Sequence, residues 1–395
     1  MTYYKENGCW TLYGERLTVV DDNEHLGLIV SGSHEEQKNV DRNITKCRKS
    51  LFSLLGVAFA YKCKLSPIVQ VKMWRIYSLP VLLSGLPALP IRSTQIKTLA
   101  VFHHKILRGI LKLSQSSPVP AIYFLLGELP VEATLHIRTL MLFHNLCTNP
   151  DTTVNTMAQY ILKMCKANST TWCNHINLLC QQYGLPPPLE LLNYSHQWSK
   201  ESWKQLVSTR ITAWHERNLR KLAENNSKMR YLNVKLHGLT GRPHQALLDI
   251  RCTQDVEKLR IHLKFLSGDF PTNERKAKQN SALSPSCAFC FPATPDSYEH
   301  ILTSCRATYD LRERLYPELM IAVADVYPVC SLLLVPSPPT DILTQFLLDC
   351  CSINLPSSVR LPHHLPNISK VFRVARDWCY GSVKCRLRLQ ATPRN

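Results

Sequence analysis

Glycine is scarce in this chain, 13 of 395 residues, against 25 prolines. That balance argues against glycine-rich nucleotide-binding folds and for helices punctuated by proline. Long apolar runs are missing too. The longest, residues 319–336, is interrupted by Asp325 and Pro328, so no membrane span is predicted. No basic flank, apolar core and small-residue cleavage site opens the sequence. The expectation is a protein that is not secreted and is intracellular, nuclear or cytoplasmic. The 16 cysteines then read as reduced thiols and metal ligands, not as a disulfide frame. The patterns GxxxxGK[ST], HExxH and GxSxG do not occur. Asp21–Asp22 looks like a paired carboxylate, but Asn23, Glu24 and His25 follow at once and no upstream strand is predicted to supply a third acid. A solvated turn is the better reading, and no catalytic residue is predicted.

Acids are the other shortage, and a local one. Net charge is +18, with 47 Lys+Arg against 29 Asp+Glu. Residues 41–115 hold 13 basic residues and one acid, Asp41; residues 201–280 hold 16 against 8; residues 1–40 are net negative. Such a surplus points to a polyanionic partner, most often nucleic acid. The alternative is a bland basic surface.

What is present reads mainly as helix. Residues 11–31 form two short β-branched runs around a polar turn, Asp21 to Glu24, which predicts a hairpin. Helical spacing begins at Val40. Pro67 suits the first turn of a second helix that Pro80 stops. From Ser93 to Leu113, with Ser93 or Thr94 as cap, Lys97, His104, Lys105, Arg108 and Lys112 fall within an arc of about 100°. Ile96, Leu99, Phe102, Ile106 and Ile110 occupy the other side. With no acid to neutralise it, that basic face predicts phosphate contacts. Further helices are expected over 121–126, 131–146, 156–182, 196–232, 256–266 and 306–316, the last stopped by Pro317. A basic helix over 371–389 follows a Pro-rich linker, 335–339. The expected order is a hairpin (1–39), a helical domain (40–150), a basic helical connector (151–280), a zinc module (281–325) and a linker with the terminal helix (326–395).

The sharpest motif is Cys287-x2-Cys290-x9-His300-x4-Cys305. Three thiolates and an imidazole at this spacing predict a closed tetrahedral Zn2+ site, structural because no position stays open for water. Phe289, Phe291 and Tyr298 flank it, either stacking on bases or forming a small core over the metal. Cys165, Cys173, His175 and Cys180 fit no closed site and read as core residues.

Several segments occur together in a known order. HLG (25–27), RKSLFSLLG, MWRIYSLPVLLSGLPAL, IKTLAVFHHKILRGILKL and AIYFLLGELPVEATLHIRTL resemble the stretch after the catalytic palm of non-LTR (LINE-type) retrotransposon reverse transcriptases. LRIHLKFLSGDFPTNERK, leading into SPSCAFC and EHILTSC, resembles the C-terminal part of the same family. The resemblance runs from about residue 17 to about 319. It implies a primer-grip hairpin at His25, Leu26 and Gly27, a helical thumb over 41–150, and knuckle ligands at Cys287, Cys290, His300 and Cys305. The family's Y-x-D-D hairpin, endonuclease and knuckle-proximal nuclease signature are not seen, so the chain reads as a truncated element that grips without chemistry. The expected function is a non-catalytic nucleic-acid-binding remnant contacting RNA, DNA or a hybrid. Alternatives are a part acting with a separate palm in RNA-directed DNA synthesis, a scaffold, or a decayed product without function.

Overall fold

In the computed structural model the described residues are 11–12, 15–16, 20–54, 65–149, 151–164, 170–193, 198–234, 237–326, 339–352 and 368–391. The chain is mainly helical, with an N-terminal antiparallel hairpin, as the patterning predicts. A short ladder pairs β1 (Thr11–Leu12) with β2 (Glu15–Arg16). The hairpin proper pairs β3 (Asp22–His25) with β4 (Leu28–Ser31), His25 opposite Leu28.

The hairpin's turn differs from the sequence expectation. Asp22 to Glu24 lie in a strand, and the chain reverses at Leu26–Gly27, with φ of 48° and 78°. A two-residue turn with both φ positive matches the right-handed twist of its strands, and Gly27 supplies one of those positions without strain. The polar side chains misled because β3 is exposed along its length. Its acids are drawn to the next helix, α1 (Glu35–Ser53): Lys38 pairs with Asp22 at 2.6 Å, and Arg42 and Lys46 with Glu24 at 3.2 and 3.5 Å. Asn39 pins the hairpin to α1 by accepting from Ile29 N and donating to Ile29 O.

Then follow α2 (Pro67–Met73), a π-helical turn (Trp74–Ser78) and α3 (Leu79–Leu82). Pro80 does not stop the helix; it has no N–H to offer, and Leu79 N reaches back five residues to Trp74 O. The basic helix is α4 (Ser93–Leu111), with Arg92 at its N-cap making no side-chain cap, contrary to the Ser93 or Thr94 expectation. Next come α5 (Val119–Leu126), α6 (Val131–Cys147), α7 (Thr152–Met164), α8 (Trp172–Tyr183), α9 (Pro188–Asn193) and α10 (Lys200–Glu224). The single helix predicted over 156–182 is two helices, because Thr171 caps a new start by accepting from Asn174 N. Cys165 lies outside the described residues.

The C-terminal half holds α11 (Thr253–Leu266), α12 (Asn273–Gln279), α13 (Tyr309–Val326), α14 (Thr340–Asp349) and α15 (Ile368–Ala391). Pro317 sits inside α13 instead of ending it. One lost backbone hydrogen bond is outweighed by burying Leu311, Leu315, Leu319 and Val323 along one face. At the crossing of α13 and α15, Gly381 faces Leu311 so closely that a Cβ there would stand 2.8 Å from its methyl groups. Of the Pro-rich linker only Pro339 is described, at the N-cap of α14.

Two apolar clusters organise the chain. The larger joins α1–α5 to the end of α10, α11, α13, α14 and α15; the smaller is built from α6, α8, α9 and the start of α10. Helix α10, about 37 Å long, spans both: Trp203, Val207 and Ile211 lie in the small cluster, Leu219 and Ala223 in the large one. Helix α15 is a core spine, with Val371, Phe372, Ala375, Trp378 and Cys379 buried. Among the described residues no helix is long and apolar enough to cross a membrane.

Candidate functional site: a Cys3His cluster and a basic helix face

Cys287, Cys290, His300 and Cys305 converge, their ligand atoms all within 4.8 Å of one another. Cys287 Sγ lies 3.8 Å and Cys290 Sγ 4.0 Å from Cys305 Sγ. These separations are far beyond a disulfide bond and close to the edge of a tetrahedron of thiolates around one ion. Local structure sets each ligand. An isolated bridge between Ser286 and Pro295 closes the knuckle loop, and Cys287 N donates to Thr294 O at 2.7 Å. His300 opens a π-helical turn, His300–Ser304, whose closing bond is Cys305 N to His300 O at 2.7 Å. The second ligand pair therefore flanks one wide turn instead of starting an α-helix.

One imidazole nitrogen is left for an ion. His300 Nδ1 is 3.2 Å from Ser304 Oγ, while its buried Nε2 has no hydrogen-bond partner. Burial lowers the His300 pKa, which keeps the imidazole neutral. Burial also pushes the Cys305 thiol up to about 12 and raises Cys287, so a cation is needed to draw the thiolates out. Cys290 Sγ accepts from Arg306 N at 3.3 Å.

Two arginines that spacing gave no reason to choose stand beside the thiols. Arg386, from the far end of α15, pairs with buried Asp296 at 2.7 Å and lies over the Phe289 ring at 5.3 Å. Arg312 donates to Cys305 O and to Thr308 Oγ1. Both exert a charge effect on the cluster's ionisable groups. Trp378 Nε1 donates to Leu302 O at 2.9 Å, so α15 holds the ligand turn directly.

Of the flanking aromatics, Tyr298 is taken inward: its OH donates to Phe270 O at 3.0 Å and its ring meets Phe265 edge-on. Phe289 is half-buried under Arg386, and Phe291, 96% exposed, is open to solvent.

Helix α4 divides its basic residues. Lys97 and Lys105 are exposed, on a stripe with Val101 at 67% exposure. His104 lies edge-on to Tyr123 at 5.5 Å, and burial with the nearby Arg108 lowers its pKa to about 4, so it is neutral at pH 7. Arg108 Nη2 donates to Ser117 O at 2.9 Å. Lys112 caps the helix with φ 55°. Arg48 of α1 lies over the Phe102 ring of α4 at 5.7 Å. At the hairpin apex His25, Leu26 and Gly27 are exposed, Leu26 by 91%, and Gly27 O accepts from Arg42. Asp21 is exposed beside the Lys38-paired Asp22.

A second cluster is absent from any sequence pattern. His237 and His244 turn Nε2 toward the fully buried Asp349, at 3.6 and 3.3 Å. Ala246 N, however, donates to His244 Nδ1 at 3.1 Å. A backbone N–H only donates, so Nδ1 carries no proton and the neutral ring holds it on Nε2. In that tautomer the Nε2 N–H stands 3.3 Å from Asp349, and Nε2 has no lone pair for an ion.

In comparisons with known proteins, no family model and no curated protein matches this chain.

Proposed function

We propose that the chain binds nucleic acid, RNA, DNA or a hybrid, through its phosphate backbone, and that one structural Zn2+ fixes its C-terminal half. The observation that carries this reading is the uncompensated charge on α1, α2 and α4. Acids from the N-terminal segment neutralise Lys38, Arg42, Lys46 and Arg92, and Glu128 pairs with Arg75. Arg48, Lys49, Lys72, Lys97 and Lys105 remain exposed with no ion pair among the described residues. Solvated helix faces ordinarily mix both signs, whereas unpaired cations on packed neighbouring helices suit a polyanion. Backbone contacts carry no sequence information, so selectivity is weak.

Three sulfurs and one imidazole favour Zn2+ over hard cations. Zn–S bonds of ~2.3 Å at tetrahedral angles give a sulfur–sulfur edge of about 3.8 Å, which the 3.8 and 4.0 Å separations suit. Four protein ligands close the coordination sphere, so the ion folds the loop and activates no water. Descent from the region after the palm of a non-LTR reverse transcriptase is part of the proposal. It rests on the ordered motifs and on the hairpin, helices and cysteine cluster occurring together.

The test is binding of labelled duplex and single-stranded RNA and DNA across salt. With 6–10 phosphates engaged, affinity falls about 10^3–10^5-fold between 50 and 200 mM salt. A response flat with salt contradicts backbone binding.

A further inference from the structure

The two basic sequence blocks, 41–115 and 201–280, meet beyond the end of α4. The loop after α4 lies against the segment joining α11 to α12. Ser114 N donates to Asp269 Oδ2 at 2.7 Å. Arg275 Nη2 donates to Ser116 Oγ at 3.0 Å and Lys228 Nζ to Ser116 O at 2.9 Å. The contact encloses an open basin of about 400 Å³ lined by Lys112, Ser114, Lys264, Asp269, Arg275 and Lys276, among others.

Four cations thus face one carboxylate, and that carboxylate is already engaged. The Asp269 side chain is 2% exposed, accepts from Ser114 N and from the Ser114 and Ser116 hydroxyls, and lies 3.6 Å from Arg275. Arg275 is held by Gly268 O at 2.6 Å, so its guanidinium is pre-placed at the rim. Lys264 and Lys276 have no ion pair among the described residues. A concave, polar-lined excess of positive charge around a fixed arginine fits a phosphate group, because field is focused in the hollow. The position fits as well. Lys97, Lys105 and Lys112 follow one another along α4 at intervals of eight and seven residues, and the row ends in the basin, about 22 Å from its start.

We propose that this basin is a phosphate seat, taking one phosphodiester of the bound nucleic acid at the end of the track along α4. The inference rests on the nucleic-acid-binding reading and deepens it. Its test uses the full chain and a fluorescently labelled oligonucleotide titrated over a salt series. The basin variant K264Q/K276Q is compared with K200Q/K204Q, which removes the same charge from exposed positions on α10, and melting is followed for each. The basin variant is expected to bind several-fold more weakly, with a salt slope lower by about 1 to 2 and an unchanged melting temperature. The α10 variant should behave as wild type. Equal binding by the two variants overturns the basin while leaving nucleic-acid binding in place. Wild-type protein that does not bind at all overturns both.

Discussion

Among the described residues the chain holds two clusters of metal-type ligands, and they differ in what one imidazole Nδ1 meets. At Cys287, Cys290, His300 and Cys305, the His300 Nδ1 meets a serine hydroxyl, which can accept a proton and so leave Nε2 its lone pair. At His237, His244 and Asp349, a backbone N–H occupies His244 Nδ1 and forces the proton onto Nε2. Similar donors within similar distances therefore differ: His300 keeps a lone pair that could face a cation, whereas His244 turns an N–H toward a buried carboxylate. Ligand identity and proximity alone do not define a metal site; the outer partner of each imidazole decides.

The largest effect expected from breaking this contrast is loss of the ion. Cys290→Ser with His300→Ala should abolish bound zinc, measured by elemental analysis of the purified protein. It should also destabilise far beyond the loop, because Leu302 O and Arg386 tie the cluster to α15 and the main core. Structural zinc contributes on the order of 10 kcal/mol in small modules. Unchanged metal content would show that other residues hold it.

Next in size is acid lability. Burial depresses His103 and His136 to about 3 and His262 to about 4, from an ordinary value of 6.5. The unfolded chain therefore takes up protons below pH 6.5 that the folded chain refuses. This contribution is complete above 6.5 and is lost as pH falls toward about 3. The urea midpoint in zinc-saturated buffer should drop between pH 7.5 and 5.5; equal midpoints would contradict the burial of neutral imidazoles.

The clamp of His237 and His244 on Asp349 comes third. Asp349→Asn should cost about 3 kcal/mol in denaturant unfolding and leave the zinc count untouched. A melting curve like wild type would show that the two imidazoles do not depend on the carboxylate. Smallest is the exposed ring: Phe291→Ala should leave stability unchanged and weaken single-strand binding by about 1 kcal/mol, read by anisotropy. Equal affinity would leave Phe291 a bare surface ring.

The sequence made the Cys3His cluster legible because all four ligands lie within 19 residues at knuckle spacing. It could not yield the clamp, whose carboxylate lies 105 residues beyond the nearer imidazole, or Arg386, which stands near the thiols from helix α15. Helix α4 was visible as an amphipathic stretch, yet periodicity did not separate Lys97 and Lys105, which face water, from His104 and Arg108, which are spent on Tyr123 and Ser117. The hairpin was legible as an element and misplaced in its turn, because a strand exposed on every residue has no hydrophobic alternation to mark it. Helix α15 looked merely basic; its inward face became readable only with the partners that bury Trp378 and the fully enclosed Arg376, which donates to Ala246 O and Leu248 O.

The most direct measurement is the number of zinc ions per chain in native wild-type protein and in Asp349→Asn. One ion in each is the predicted result, held by three thiolates and His300. No ion in wild type, or a second one that disappears with the Asp349 carboxylate, would contradict the division between centre and clamp.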